Sequence, residues 1–251
     1  MSGHSKWSTI KRAKGAADIK RGLTFTKVAN AITIATKMGG SGDPDSNPRL
    51  RMAVDEARGV NMPKDNIQRA IDRGLGKLPG QTLEEVLYEG FGPGKTAFLV
   101  EGVTDNKMRT LQEVKNLFDK NGGSLGGQGS VAYMFDRVGE IRVKSQESRV
   151  KEDEMLELID LGAEDVVDYL EDNMQGYLVY VGSSEVNTMG NKITRAGYKV
   201  ESQELVYKPN VLIQINDAES AKKVLDFAGK LEELDDVQKV YANFDINEGL
   251  V

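Results

Sequence analysis

The chain has 251 residues, no Cys and a formal net charge of -6. This length favours two or three compact domains over one. The absence of Cys excludes disulfides, thiolate metal sites and a cysteine nucleophile. No stretch approaches the roughly 18 apolar residues of a membrane span, and the first residues lack the apolar core of a secretory signal. We therefore expect a soluble cytoplasmic protein without a membrane partner.

Positive charge is concentrated at the N-terminus. The first 27 residues hold seven Lys or Arg against one acid, Asp18, and they contain the only His and the only Trp, His4 and Trp7. Residues 1–80 carry a net charge of +8, and the remaining 171 residues carry -14. Cations beside an aromatic ring suit a segment that binds phosphates and bases, so we predict a nucleic-acid partner. The alternatives are a solvated basic helix face and a Trp7 that is buried as an anchor.

Apolar spacing and helix-ending residues predict three helices in the first 80 residues. The first helix covers residues 24–38 and ends before Gly39 and Gly40. The second begins at Pro48, a residue favoured at the first helical position, and ends at Gly59. The third covers residues 63–74. Residues 1–80 are therefore predicted to be a basic arm and a helical domain.

The rest of the chain alternates short β-rich runs with amphipathic helices, which indicates an α+β multidomain protein. Strands are predicted at 95–103, 130–135, 211–215 and 237–246, with helices at 107–120 and 217–229. Residues 137–207 contain a complete β-α-β-β-α-β series, the ferredoxin-like order. We predict one ferredoxin-like domain from residues 81–136 plus 208–251, with a second inserted at 137–207. A simple tandem order is the alternative, but it leaves half sheets with open edges.

Three sequence features resemble catalytic or ligand sites, but none fits its motif. The segment GFGPGKT at 90–96 has Glu89 where a Walker A motif needs Gly, and it precedes a strand. The segment NGGSLGGQGS at 121–130 is interpreted as a helix cap that leads into a strand, with a flexible loop that meets a partner closely as the alternative. The acidic residues at 152–154 and 232–236 are interpreted as solvent-facing charge. His4 has no visible nucleophile to activate. We predict no catalytic residue, cofactor or metal; a nucleotide-binding enzyme stays the alternative of another class.

Several short motifs are distributed along the whole chain. The opening Gly3-His4-Ser5-Lys6-Trp7 is followed by Ile10-Lys11, Lys20-Arg21-Gly22, Phe25-Thr26-Lys27, Asn47-Pro48-Arg49-Leu50-Arg51, Asn61-Met62-Pro63, Ile67, Ala70-Ile71, Tyr88-Glu89-Gly90, Thr104-Asp105-Asn106, Asn121-Gly122-Gly123, Leu231-Glu232-Glu233-Leu234-Asp235-Asp236-Val237 and Ala242-Asn243-Phe244. In these motifs and their order the chain resembles the YebC family of bacterial proteins, which includes the mitochondrial translational activator of cytochrome oxidase.

The resemblance implies three domains and a non-enzymatic role in gene expression. It implies a DNA-binding transcriptional regulator or, alternatively, a ribosome-associated translation factor that binds ribosomal RNA or tRNA and relieves stalling at proline-rich stretches. The chain departs from the family where Val28-Ala29-Asn30-Ala31-Ile32 replaces the usual Leu-Ile-Arg-Glu-Ile, and where Leu23 replaces a frequent Lys. The predicted nucleic-acid site comprises His4, Lys6, Trp7, Lys11, Arg12, Lys14, Lys20, Arg21, Lys27, Arg49 and Arg51.

Overall fold

A computed structural model of the chain describes residues 19–78, 82–145, 152–171 and 174–246. The described residues form two compact units. One unit consists of residues 135–212, and the other combines residues 19–134 with 213–246. In sequence, the unit of residues 135–212 is therefore inserted within the other unit.

The helical region comprises three helices: α1, Ile19–Gly39; α2, Pro48–Gly59; and α3, Lys64–Gly74. Helix α1 packs against both α2 and α3. The three helices share one apolar core, formed by Val28, Ile32, Ala35, Leu50, Ala53, Val54, Ala57, Met62, Ile67, Ala70 and Ile71. The predicted N-terminal helical domain is thus present, and α2 has the predicted bounds.

The connections between these helices explain two of the sequence motifs. Asn47 is 4 % exposed; its Oδ1 accepts from Leu50 N at 3.1 Å, and its Nδ2 donates to Ala35 O at 2.9 Å. It therefore caps α2 and ties it to α1. Asn61 adopts a left-handed φ of 57°, and Met62 then enters the core before α3 begins. These motifs fix the turns of the helical region.

The remaining elements alternate strands and helices, as the sequence predicted. In chain order they are β1, Glu84–Phe91; β2, Ala97–Thr104; α4, Lys107–Lys120; β3, Ser124–Leu125; β4, Phe135–Lys144; α5, Glu152–Asp160; β5, Asp165–Glu171; β6, Met174–Gly182; α6, Val186–Arg195; β7, Lys199–Pro209; β8, Ile213–Ile215; α7, Ala218–Glu232; β9, Val237–Ala242; and β10, Phe244–Ile246.

The unit of residues 135–212 is built on one antiparallel sheet with the order β5-β6-β4-β7. With α5 and α6 between the strands, this is the order of a ferredoxin-like β-α-β-β-α-β fold. Helix α6 packs so closely on the sheet that a Cβ added at Gly139 of β4 would collide with Val186 of α6. We call this sheet the inserted sheet.

The other sheet, which we call the first sheet, has the order β3-β1-β2-β9, and all of its pairs are antiparallel. Strand β2 lies in its middle, with Val100 opposite both Tyr88 and Val240. The ring of Phe98 makes edge contacts with Phe227 and Phe118 at centroid distances of 4.9 and 6.4 Å. The aromatic core of the first sheet therefore joins residues from both sides of the insertion.

The strand arrangement of the first sheet differs from the ferredoxin-like prediction. Strand β1 was not predicted, and it occupies the place beside β2 that the ferredoxin-like order would give to β8. Strand β8 pairs instead with β10, in parallel. A short turn joins β1 to β2, whereas the inserted unit separates β2 from β8 in sequence. Pairing β2 with β1 therefore closes a far shorter loop and costs less chain entropy than pairing β2 with β8.

The prediction of a strand at 130–135 was wrong. Residues 132–134 form a short 3₁₀ turn, and β4 begins at Phe135. The backbone N–H groups of Val131 and Ala132 donate to the carboxylate of Glu89, so they are not available to a strand partner. The predicted strand 237–246 is also divided, because Asn243 separates β9 from β10.

Candidate nucleic-acid interface

The predicted site residues fall into three groups. His4, Lys6, Trp7, Lys11, Arg12 and Lys14 lie outside the described residues. Lys20 and Arg21 belong to the first turns of α1, but their side chains are not described. Lys27, Arg49 and Arg51 are described with their side chains.

These three described cations contact other parts of the protein. Lys27 Nζ donates to the carbonyl of Glu232, at the end of α7, at 2.6 Å. Arg49 forms an ion pair with Glu85 of β1. Arg51 donates from Nε to Pro44 O at 3.1 Å and thereby holds the loop before α2. Lys27 therefore joins the helical region to α7, and Arg49 joins it to the first sheet. Any contact that these residues make with nucleic acid stays a prediction.

Helix α3 presents a different set of cations. Ile67, Ala70 and Ile71 are buried against α1, which leaves Lys64, Arg69 and Arg73 exposed on the polar side of the helix. Within the part of the chain that the structure describes, none of these three forms an ion pair or a side-chain hydrogen bond. Three exposed cations on one short, rigid helix can contact phosphate groups.

The α3 cations do not belong to the site predicted from the sequence. The helical spacing of residues 64–74 places Arg69 and Arg73 together on the polar face and Lys64 in the first turn on the opposite flank, and no diagnostic turn of a helix-turn-helix motif precedes them. The structure shows that a four-residue connection, Val60–Pro63, separates α2 from α3, with Asn61 in the left-handed region. The sequence could not show that these cations lack acidic partners in the described part of the chain, because such contacts depend on tertiary packing.

The segment 90–96, which resembles a phosphate loop, joins β1 to β2. The backbone N–H of Gly92 donates to Thr96 O at 2.8 Å and closes the turn. A Cβ at Gly92 would collide with the rings of Phe98 and Phe227. This glycine is therefore required by packing of the hairpin against the aromatic core.

The second glycine-rich segment surrounds a buried carboxylate. We call residues 121–132 the glycine loop. Glu89 is 3 % exposed, and its Oε1 accepts from Gly129 N at 2.7 Å. Its Oε2 accepts from Val131 N at 2.9 Å and from Ala132 N at 2.8 Å. The protein's own carboxylate thus occupies the position in which a nucleotide-binding loop would hold a phosphate.

These hydrogen bonds determine the charge state of Glu89. Burial raises the pKa of Glu89, but the three backbone N–H donors outweigh burial and hold the pKa below its ordinary value. Glu89 is therefore ionised at neutral pH. A second anion in the same place would meet like-charge repulsion and would find these three donors already used.

Two residues in the acidic segments do not face solvent as predicted. Asp236 Oδ2 accepts from Thr110 and Arg109 at 2.6 Å and from Thr104 at 2.9 Å. Glu154 accepts from the Tyr177 hydroxyl at 2.5 Å. The prediction failed because sequence shows acidic runs but not distant hydroxyl donors. Within the described residues, no three or more His, Cys, Asp or Glu side chains converge into a metal-binding group.

Family models match nearly the whole chain. The model of the TACO1/YebC protein N-terminal domain matches residues 5–77, and that of the TACO1/YebC second and third domain matches residues 83–244. The chain belongs to the TACO1/YebC family. The resemblance inferred from the motifs is thus confirmed.

Individual relatives of this TACO1/YebC member are similar over their full lengths. A probable transcriptional regulatory protein of Geobacter sp. strain M21 is 47 % identical, over 99 % of this chain and 97 % of the relative. One from Chloroflexus aurantiacus is 49 % identical, over 100 % and 98 %. The crystal structure of a conserved hypothetical protein of Aquifex aeolicus has 43 % identity and a TM-score of 0.86, covering 97 % of this chain and 98 % of that one. The fold is therefore that of the family.

The described helices were also compared with the requirements of a bilayer span. Helix α1, with 21 residues, is long enough but carries charged residues along its length. None of the helices in the described ranges has the apolar stretch that crossing a membrane requires.

Proposed function

We propose that this protein is a non-enzymatic, cytoplasmic regulator of gene expression that binds nucleic acid through its N-terminal arm and helical region. The observation that carries the proposal is the exposed set Lys64, Arg69 and Arg73, which has no acidic partner in the described part of the chain. The names of the relatives, probable transcriptional regulatory proteins, support a regulatory role.

The charge distribution favours one part of the protein as the contact surface for nucleic acid. Residues 1–80 have a net charge of +8 and the rest of the chain has -14. A polyanion is attracted to the N-terminal part and repelled by the remainder, so contacts concentrate on the arm and on α3. The acidic remainder would provide shape, placement or protein contacts.

Two nucleic-acid partners fit this proposal. The names of the relatives favour DNA and transcription. The resemblance to the family's translation factors favours ribosomal RNA or tRNA on the ribosome. The second partner also fits the arm, where Trp7 lies among cations, since unpaired bases stack on aromatic rings.

The test is a binding comparison of two charge-matched triple variants. Replacing Lys64, Arg69 and Arg73 by Ala removes the α3 cations, and replacing Arg137, Arg195 and Lys199 by Ala removes three exposed cations from the other unit. We expect the first variant to weaken nucleic-acid binding at least tenfold and the second to change it less than twofold. Equal effects of the two variants would refute the α3 interface.

Sedimentation of a cell lysate then distinguishes the two partners. Co-migration of the wild-type protein with ribosomal subunits, lost in the α3 triple variant, would establish the translation role. Absence from ribosomal fractions, together with capture on duplex DNA, would establish the transcription role.

A further inference from the structure

The inserted unit, residues 135–212, joins the rest of the chain at two points. At its start, Met134 ends a 3₁₀ turn and Phe135 directly begins β4, so this connection is a single peptide bond. At its end, residues 210–212 separate β7 from β8 and lie outside any helix or strand. One connection is therefore direct, and the other is a segment of three residues.

The two connections leave the inserted unit side by side. Phe135, the first residue of β4, lies directly opposite Pro209, the last residue of β7, in the antiparallel pairing of these two strands. Residues that face each other in such a ladder are only about 5 Å apart. Both connections therefore start from the same corner of the inserted sheet.

Asn243 contacts the other ends of both connections. This residue is 1 % exposed and lies between β9 and β10. Its backbone carbonyl accepts from Ile213 N at 2.7 Å, and its Nδ2 donates weakly to Met134 Sδ at 3.8 Å. Its Oδ1 accepts from Ala97 N, at the start of β2, at 2.7 Å. Asn243 therefore ties both connections to the central strand of the first sheet.

Glu89 fixes the segment that leads into the first connection. Its carboxylate accepts from the N–H groups of Val131 and Ala132, and Met134 N donates to Val131 O at 2.9 Å. Charge-assisted bonds to a buried carboxylate are strong, so they hold this backbone firmly. The first point at which the chain can rotate is therefore the link between Met134 and Phe135.

The second connection is less constrained. Val211, in its middle, is 61 % exposed although its side chain is apolar. The chain is fixed again only at Ile213, by the bond to Asn243. A few residues between two anchored elements are the usual place for a hinge, because they can absorb a change in φ and ψ while the elements stay intact.

We propose that the Met134–Phe135 link and residues 210–212 form a hinge about which the inserted unit rotates as a rigid body. Both connections start at one corner of the inserted sheet and end at Asn243, so the rotation has a single short axis. The single peptide bond is the pivot, and the three-residue segment takes up the change in path. The hinge does not depend on the proposed function, because it follows from the connections alone.

The hinge allows charge to move within the protein. The inserted unit contains 16 Asp or Glu and 9 Lys or Arg, a net charge of -7. A polyanion that binds elsewhere on the chain repels this unit. Rotation about the hinge reduces that repulsion without unfolding either unit, so a partner of high negative charge can be accommodated.

Spin labels can measure this motion directly, because the chain has no native Cys. The inter-unit pair combines Gln112→Cys on α4 with Asp160→Cys on α5. The reference pair combines Gln112→Cys with Asp226→Cys on α7, which packs against α4 in the same unit. All three positions are exposed. Double electron–electron resonance on the full-length protein gives the distribution of distances for each pair.

Each pair is measured in three backgrounds. The first is the unmodified connection, and the second has Gly-Gly inserted between Val211 and Leu212. The third, a matched control, has Gly-Gly inserted between Ser183 and Ser184, in an exposed turn inside the inserted unit. The insertion at the connection raises its maximum reach from about 10 to about 17 Å. Melting temperatures verify that all variants fold.

We expect the inter-unit distribution to be wider than the reference distribution in the unmodified connection. Insertion at Val211 should widen it about 1.5-fold further, in line with the longer reach, while the reference pair and the control insertion show no change. An inter-unit distribution as narrow as the reference would overturn the hinge. A width that the insertion at Val211 leaves unchanged, or that both insertions raise equally, would also overturn it.

Discussion

The carboxylate of Asp236 and the hydroxyl of Thr110 lie 2.6 Å apart, although 126 residues separate them in sequence. Thr110 is in the first turn of α4, and Asp236 directly precedes β9. Arg109 and Thr104 donate to the same carboxylate oxygen. This cluster therefore connects the start of α4, the end of β2 and the start of β9, which flank the inserted unit in sequence.

Replacing Asp236 by Asn should destabilise the first sheet. The Asp236 side chain is 15 % exposed, and an amide that replaces its carboxylate loses the charge-assisted bonds from Thr110 and Arg109. We expect the free energy of unfolding to fall by about 1–3 kcal/mol. Urea unfolding measures this loss, with Asp235→Asn as the exposed control. Equal stability of the two variants would contradict the role of the cluster.

Glu89 should make stability depend on pH. Burial raises its pKa, but the N–H groups of Gly129, Val131 and Ala132 keep the pKa below the ordinary value of 4.5. A carboxyl whose pKa is depressed on folding stabilises the protein fully above its unfolded pKa, and this contribution is lost as pH falls through the folded pKa.

Urea unfolding of the wild type and of Glu89→Gln at several pH values checks this expectation. At pH 7 the variant should be about 2–3 kcal/mol less stable, because a neutral amide replaces a buried carboxylate that accepts three hydrogen bonds. The difference should shrink below about pH 4.5 as Glu89 becomes protonated. A difference that is constant with pH would show that the charge of Glu89 does not hold the loop.

Two helix caps should differ in their contribution to stability. Asn47 caps α2 from a buried position and also donates to Ala35 O, whereas Asn106 caps α4 through a single exposed bond to Arg109 N at 3.1 Å. We expect Asn47→Ala to cost about 2 kcal/mol and Asn106→Ala about 1 kcal/mol. Chemical denaturation of both variants ranks the two caps, and the reverse order would contradict the tie between α1 and α2.

The arm should bind through charge without regard to sequence. If about five phosphates are neutralised, log affinity should fall against log salt with a slope of roughly -3.5 to -4.5. Replacing Lys11, Arg12 and Lys14 by Ala should flatten that slope by roughly two to three and weaken binding equally for unrelated sequences. Anisotropy titrations at several salt concentrations measure both quantities. A salt-independent affinity would contradict the electrostatic arm.

Residues 137–207 and residues 82–136 should differ in their ability to fold when each is expressed alone. We propose that residues 137–207 form an autonomous domain, because every strand of the inserted sheet lies within or next to that range. Residues 82–136 lack β9, so β2 would keep one unpaired edge. Circular dichroism of the two fragments should show a cooperative melt only for the first. A cooperative melt of the second would support the tandem order.

Local signals predicted the helices well, and non-local pairing explains most of the differences. Pro48 and Gly59 bound α2 as predicted, because helix ends depend on neighbouring residues. Strand β1 was missed because it ends in Gly90 and Phe91 within a glycine-rich segment, and only its pairing with β2 makes it a strand. The predicted strand at 130–135 failed because Glu89, about 40 residues earlier, accepts its N–H groups.

The candidate interface could be predicted only in part. Positive charge near the N-terminus is visible in the sequence, but the partner of each cation is not. Arg49 and Arg51 were placed in the predicted site and Arg69 and Arg73 were not, yet the first two contact Glu85 and Pro44. Contacts of this kind depend on how helices and strands pack, so they become visible only in three dimensions.

The pairing of β2 with β9 affects the order in which parts of the protein can fold during translation. Val100 emerges from the ribosome 140 residues before Val240, its partner across the sheet. All four strands of the inserted sheet, which end at Pro209, are synthesised before β9 exists. During translation, the unit of residues 135–212 can therefore fold before the first sheet is complete. Until β9 is synthesised, the positions of β2 that are buried in the folded protein stay exposed to chaperones and to proteases.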